Sequence, residues 1–402
     1  FLTIAAQIWA ASGRAVIVID PKGDLAFADK SRRLARALGR DFQFYSLTPT
    51  GYARLEEHRR VFQILGYGNP SEAADTFLNS MDFESPHFKA IVEYGLSLVC
   101  SALKSSGERP NLRRAQELLN DPRQLAAMLV GLTDAMETSG RTSESEYETF
   151  RSGIRFLDQL SSDQVSGLQG AATRCATLAD SQAGPSMLPG YLPDLDFVGG
   201  IKSGSIIHIS IDSQAYPNLA PQVVAFFLSA LSAAAGQLMR EGWNGKACAM
   251  IDEMGAFTGT QGKNLLERSR SAGITTWWSP QSLISIRDTV GPEMVEALID
   301  NCDFIGSFRQ QSPESAELLA QVAGTEEGPE STRQEEAILG KFFSRFTGMS
   351  SVRQADHFIV HPNEFKHLRK GEMVMIDKTN GKRVVIVRVR GAIEFWQLEV
   401  GS

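Results

Sequence analysis

The chain has 402 residues, 43% of them apolar and 22% charged, and a formal net charge of −7. That length accommodates two domains or one large domain with an insertion, and the composition is that of a soluble globular protein rather than a low-complexity chain. The negative charge argues against a surface that coats nucleic acid indiscriminately. Four scattered cysteines (Cys100, Cys175, Cys248, Cys302), with no CxxC and no Cys/His pair at zinc spacing, predict buried thiols in a reducing setting.

Residues 1–12 (FLTIAAQIWAAS) space their apolar side chains as a helix and stop at Gly13. The run AVIVID (15–20) predicts a buried strand, followed by the turn Pro21-Lys22-Gly23-Asp24. A helix that feeds straight into a parallel-type strand implies an earlier strand and loop before Phe1. Residues 29–38 predict the next helix, and 42–47 a short strand. From 69 to 190 the pattern is helical throughout, punctuated by Asn69-Pro70, Ser85-Pro86 and Asp121-Pro122 in the manner of helix starts. The chain is therefore expected to divide into 1–68 and 191–402, two parts of one core, with 69–190 inserted as an all-α domain.

Strand-helix alternation resumes with a strand at 205–212 and a long apolar helix at 219–240. Ser229, Ser232, Gly236 and Gln237 interrupt that helix, which reads as a core element rather than a membrane span. A strand ending at Asp252-Glu253 comes next, then a helix at 263–273, a buried strand at 274–279 and a helix at 292–301. A further strand at 303–309 and helix at 312–323 follow. GEMVMID (371–377) and KRVVIVRVR (382–390) flank an Asn-Gly turn and predict a hairpin. Repeated β-α units predict a mostly parallel sheet covered by helices and closed by that hairpin. Acids crowd residues 325–336, and 364–390 carries eight Lys/Arg against three acids. This basic stretch reads as the solvated side of strands, with nucleic acid as its alternative partner.

Two apolar strands that each end in carboxylates, Asp20 on the first and Asp252-Glu253 on the other, are what a metal-nucleotide site on a parallel sheet requires. In such a site the Asp holds Mg²⁺, usually through water, and the adjoining Glu polarises the attacking water. No G-x-x-x-x-G-K-[S/T] phosphate loop occurs in the sequence. Truncation upstream of Phe1 is the expected reason. His357 and His361 stand four apart, but Pro362 and the β-branched Ile359-Val360 argue against a metal-binding helix. Trp277-Trp278, inside a predicted strand, read as packing rather than base stacking.

The order VIVIDPKGDL, all-helical insertion, strand-IDE, RSRSAGITTWWSPQSL and closing VHPNEFKHLRKGEMVMI resembles the type IV secretion coupling proteins of the TraD/TraG kind, hexameric DNA-translocating ATPases of the FtsK/HerA group. Asp-Pro-Lys-Gly-Asp after a strand is a fairly specific mark of that resemblance; Asp-Glu alone is not. The chain departs from the family in lacking the Walker A loop and the membrane-spanning region before it.

The resemblance implies a RecA-like P-loop NTPase core, α/β with a mostly parallel sheet and an inserted all-α domain. It implies ATP and Mg²⁺ as cofactors, with Asp252 the Mg²⁺ ligand, Glu253 the catalytic glutamate, Gln281 a sensor, and Asp20 and Lys22 beside the nucleotide. Arg270, with Arg268 its competitor, matches an arginine that reaches a neighbouring subunit's nucleotide. The implied function is ATP-driven delivery of relaxase-bound single-stranded DNA, or protein effectors, to a type IV secretion channel in conjugation. The implied partners are the relaxosome, inner-membrane secretion components and further copies in a homo-hexamer at the cytoplasmic face of the bacterial inner membrane. The all-α segment is implied in cargo recognition. A non-catalytic docking module and a double-strand DNA pump of FtsK/HerA type are the alternatives.

Overall fold

The structure, a computed structural model, describes residues 2–78, 85–139, 143–253, 259–337, 344–379 and 383–389. They form two compact units, one within Phe1–Gln281 and the other within Ser282–Gly391.

The first unit opens with α1 (Leu2–Ala11), β1 (Ala15–Asp20), α2 (Leu25–Ala37), β2 (Phe42–Ser46) and the short α3 (Ala53–Glu56). A helical run follows: α4 (Pro70–Leu78), α5 (Pro86–Ser105), α6 (Leu112–Asn120), α7 (Pro122–Ser139), α8 (Glu144–Asp158), α9 (Ser162–Asp180) and α10 (Phe197–Ser203). The unit closes with β3 (Ile206–Ser210), α11 (Ala220–Arg240), β4 (Ala247–Asp252), α12 (Gly259–Ser271) and β5 (Ile274–Ser279).

Its five strands form one parallel sheet in the order β2-β3-β1-β4-β5. Every residue of β1, β2 and β3 is buried, because helices cover both faces. On one face Ile17, Ile19, Tyr45, Ile207, Ile209 and Ile251 join a core that continues into the helical segment. There Tyr45 meets Phe227 of α11 edge-on, with ring centroids 4.7 Å apart. On the other face Val16, Val18, Phe42, Phe44 and Met250 pack beneath α1 and α2. In the helical segment α6 lies on α9 and α7 on α8. Gly153 permits the close approach of α8: a Cβ there would stand 2.7 Å from Leu98 and 3.1 Å from Leu129. Helix α11 has the length and composition to cross a membrane, yet most of it is buried in this core. Cys100, Cys175 and Cys248 are buried free thiols, as expected, while Cys302 is half-buried.

The second unit contains α13 (Leu283–Val290), α14 (Pro292–Asn301), β6 (Phe304–Ser307) and α15 (Pro313–Ala323). It continues with β7 (Thr325–Ala337), β8 (Ser344–Phe358), α16 (Pro362–His367), β9 (Glu372–Asp377) and β10 (Arg383–Arg388). Val374 and Ile376 of β9 pack with Ala316, Leu319 and Phe365 of α15 and α16.

Several expectations need correction. The parallel sheet ends at β5, because β6 pairs antiparallel with β9 in a separate sheet of order β10-β9-β6. Short, half-exposed β6 lacks the continuous apolar run that a doubly covered strand needs. Strand β5 is an edge, half-buried rather than buried. The helix expected at 29–38 starts four residues earlier, since Asp24 accepts the amides of Ala26 and Phe27 as its N-cap. The β7–β8 ribbon was not anticipated, because its glutamates hide the strand pattern.

His208, in the middle of β3, is fully buried, with Nδ1 sharing a 3.0 Å hydrogen bond with Ser31 Oγ and no partner at Nε2. Burial pushes its pKa down to about 3, so the unfolded chain binds more protons than the folded one between that value and 6.5. Stability conferred by neutral His208 is complete above 6.5 and is lost as pH falls through this window. Denaturant unfolding at stepped pH should show that slope in the wild type and lose it in His208→Leu.

Candidate functional site

Strands β1, β4 and β5 run parallel, so their C-terminal ends share one edge of the sheet. Ile19 pairs with Ile251, which sets Asp20 and Asp252 side by side at the strand ends; Asp252 in turn pairs with Ser279. An open α/β sheet places ligands at this edge.

Asp20 is 1% exposed. Its carboxylate accepts the backbone N–H of Lys22 at 3.0 Å through Oδ1 and that of Asp24 at 2.7 Å through Oδ2. One buried side chain thereby fixes the whole turn. Gly23 completes it with φ +72°, and a Cβ there would meet Asp212 Cα at 3.1 Å. Burial raises the Asp20 pKa to about 6 against the pull of those two hydrogen bonds, with the negative charge of Asp252 adding to the rise.

The turn projects Lys22 over the end of β4, where its Nζ lies 2.5 Å from Glu253 Oε1. The Gln281 side-chain amide donates to the same oxygen at 2.5 Å. The Lys22 pKa is raised, chiefly by its hydrogen bond to Glu253. Glu253 has φ +46°, the one positive φ outside glycine among the described residues, and its N–H donates to Asp252 Oδ1 at 3.0 Å. Left-handed backbone at a carboxylate residue costs about 1–2 kcal/mol, and such strain gathers where function needs it.

Five of the six residues singled out in the sequence thus lie together: Asp20, Lys22, Asp252, Glu253 and Gln281. Arg270 does not join them. It is exposed at the end of α12, and its carbonyl accepts the Gly273 N–H just before β5 begins. At about 3.3 Å per residue, the length of β5 puts Arg270 roughly 20 Å from the carboxylate edge. Sequence reasoning missed Asp24 and Asp212, the cap and the wall of the turn; an Asp directly before a helical pattern is the signal for the first. Trp277 and Trp278 pack toward opposite faces of the sheet, as expected of packing residues. His361 caps α16 by accepting the Asn363 N–H.

Among the described residues, no group of three or more His, Cys, Asp or Glu converges to cage a cation. The donor set nevertheless fits Mg²⁺, which keeps most of its waters and takes one or two carboxylates alongside phosphate oxygens. Asp252 and Asp20 are the carboxylates available for that.

Residues 247–370 match the family described as the TraM recognition site of TraD and TraG. No curated protein matches the chain. Among solved structures it is similar to the bacterial conjugative coupling protein TrwB lacking its first 70 residues, in an unbound form. That likeness has 14% identity and a TM-score of 0.61 over 97% of this chain and 80% of the other. TrwB with the ATP analogue ADPNP gives 14% identity and 0.59 over 97% and 82%. TrwB with ADP and Mg²⁺ gives 13% and 0.55 over 94% and 86%. The fold is therefore the expected RecA-like α/β fold with an inserted helical segment. The resemblance to TraD/TraG-type coupling proteins holds in sequence over residues 247–370, while the likeness to TrwB over nearly the whole chain is one of fold.

Asp20 binds more protons folded than unfolded between pH 3.8 and about 6, so its contribution to stability falls as pH rises through that window. Asp20→Asn should remove this slope, on the order of 3 kcal/mol by proton linkage, in denaturant unfolding followed across the same range. Glu253→Gly should hold or raise stability by up to about 1 kcal/mol in the same assay, because glycine adopts the left-handed backbone freely.

Proposed function

We propose that this chain, kin to the TraD/TraG-type coupling proteins over residues 247–370, is the motor part of a conjugative type IV coupling protein that hydrolyses ATP to move substrates. The observation that carries this reading is the gathering of Asp20, Lys22, Asp252, Glu253 and Gln281 at the C-terminal edge of one parallel sheet. Such a site does in-line phosphoryl transfer to water by positioning and electrostatics.

Glu253 orients the attacking water and takes its proton. Gln281, a neutral amide on the strand exit, touches Glu253 and is placed to sense whether the terminal phosphate is present. Asp252, with Asp20 beside it, would hold Mg²⁺ through water, and the ion when bound would balance phosphate charge. Arg270, at the far edge of its own sheet, is of use only to the site of a neighbouring copy, where a guanidinium offers fixed charge to the transferring group. The phosphate-cradling amides are not among these residues, so this chain supplies the water and metal side of the site.

The substrates under this reading are relaxase-bound single-stranded DNA or protein effectors. The partners are relaxosome proteins, inner-membrane secretion components and the other copies of a homo-hexamer on the cytoplasmic face of the inner membrane. The second reading is a non-catalytic docking module that recruits the same substrates. The full-length protein decides between them. ATP turnover stimulated by single-stranded DNA, abolished in Glu253→Gln with nucleotide binding retained, supports the motor; a wild type without nucleotide affinity supports the docking module. Stimulation by duplex DNA alone points to a double-strand pump.

A further inference from the structure

Lys22 stands beside a nucleotide edge, where a lysine ordinarily serves phosphate, yet here it is committed to Glu253. Both donors that reach Glu253, the Lys22 ammonium and the Gln281 amide, bind the same oxygen, Oε1. A carboxylate oxygen has two lone pairs, so Oε1 is filled. Among the described residues no hydrogen bond reaches Oε2. We infer that Lys22 is a positioning residue: with Gln281 it clamps Oε1 and leaves Oε2 as the oxygen that meets water. The inference deepens the motor reading and rests on it.

The clamp has three independent supports. The Lys22 backbone is rigid, since Asp20 binds its N–H and that of Asp24, and Gly23 sits against Asp212. The Lys22 side chain is half exposed, with solvent open to it, but its ammonium lies on Glu253, which is only 18% exposed. Finally, the left-handed backbone of Glu253 turns its side chain toward Lys22 at an energetic cost that the two donors offset. A one-ångström misplacement of such a group costs on the order of 10²-fold in rate.

The test compares wild type, Lys22→Met, Lys22→Arg and Glu253→Gln in the full-length protein. Lys22→Met should lower kcat on the order of 10²-fold with the KM for ATP and affinity for an ATP analogue unchanged, and Lys22→Arg should restore part of it. A readout that needs no turnover comes from ¹³Cε-labelled lysine: at one fixed neutral pH the Lys22 resonance should shift in Glu253→Gln, where the ammonium loses its carboxylate partner. The inference is overturned if Lys22→Met loses nucleotide affinity at unchanged kcat, which would put the ammonium on phosphate. It is equally overturned if the Lys22 resonance is the same with and without the Glu253 carboxylate. A wild type that turns over no ATP fails the motor reading itself, a result distinct from either.

Discussion

A single buried carboxylate organises the functional edge of this protein. Asp20 accepts two backbone amides from the turn that follows it, and this fixes where Lys22 and Asp24 go. Lys22 is carried over β4 to Glu253, and Asp24 caps α2, one of the helices that cover β1. Burying the Asp20 carboxyl opposes its ionisation, as its raised pKa records, and the two hydrogen bonds only partly offset that burial. The turn is therefore held by a group the fold pays to ionise, which fits a site whose geometry matters more than its local stability.

The sheet explains why strained and charged groups survive here. Strands β1, β2 and β3 are sealed on both faces by helices, giving a rigid platform that leaves chemistry to the edge where the strands end. Parallel pairing puts all those ends on one edge. Carboxylates on neighbouring strands are brought within interaction range by the strand spacing alone, about 4.8 Å. Like charges so placed repel, and a lysine from the adjoining turn relieves that repulsion. Among the described residues, the one with a positive φ outside glycine, Glu253, stands at the centre of this arrangement. His208, buried in the same sheet, shows the opposite use of a titratable group, held neutral and away from the site.

Much of this was legible in the chain. AVIVID and ACAMID read as buried strands because unbroken apolar runs have few other uses, and their terminal acids marked the edge where chemistry belongs. Asp20, Lys22, Asp252, Glu253 and Gln281 all stand out in the sequence, by strand ends or by the resemblance. The helical stretch was equally plain from its Pro-punctuated periodicity. Other features were not legible. The partner of β6 is one of them, because a short strand carries no sign of which sheet it joins. The β7–β8 ribbon was hidden by its glutamates, which leave no apolar alternation in the sequence of β7 to find. The start of α2 is set by the Asp24 cap, which outweighs the helical periodicity that becomes clear only from residue 29.

By itself the sequence determined the element types and the residues at their ends, because periodicity and burial of apolar side chains are local consequences of composition. It also determined that phosphate-loop amides are not among these residues. Only the tertiary structure decided that Lys22 and Gln281 meet one oxygen of Glu253, and that Glu253 takes a left-handed backbone to be met. It likewise decided that Arg270 ends at the far edge of its own sheet. Those outcomes depend on strand order and turn geometry, which bring together residues more than 200 positions apart in the case of Lys22 and Glu253. No pattern in the chain records a distance of that kind.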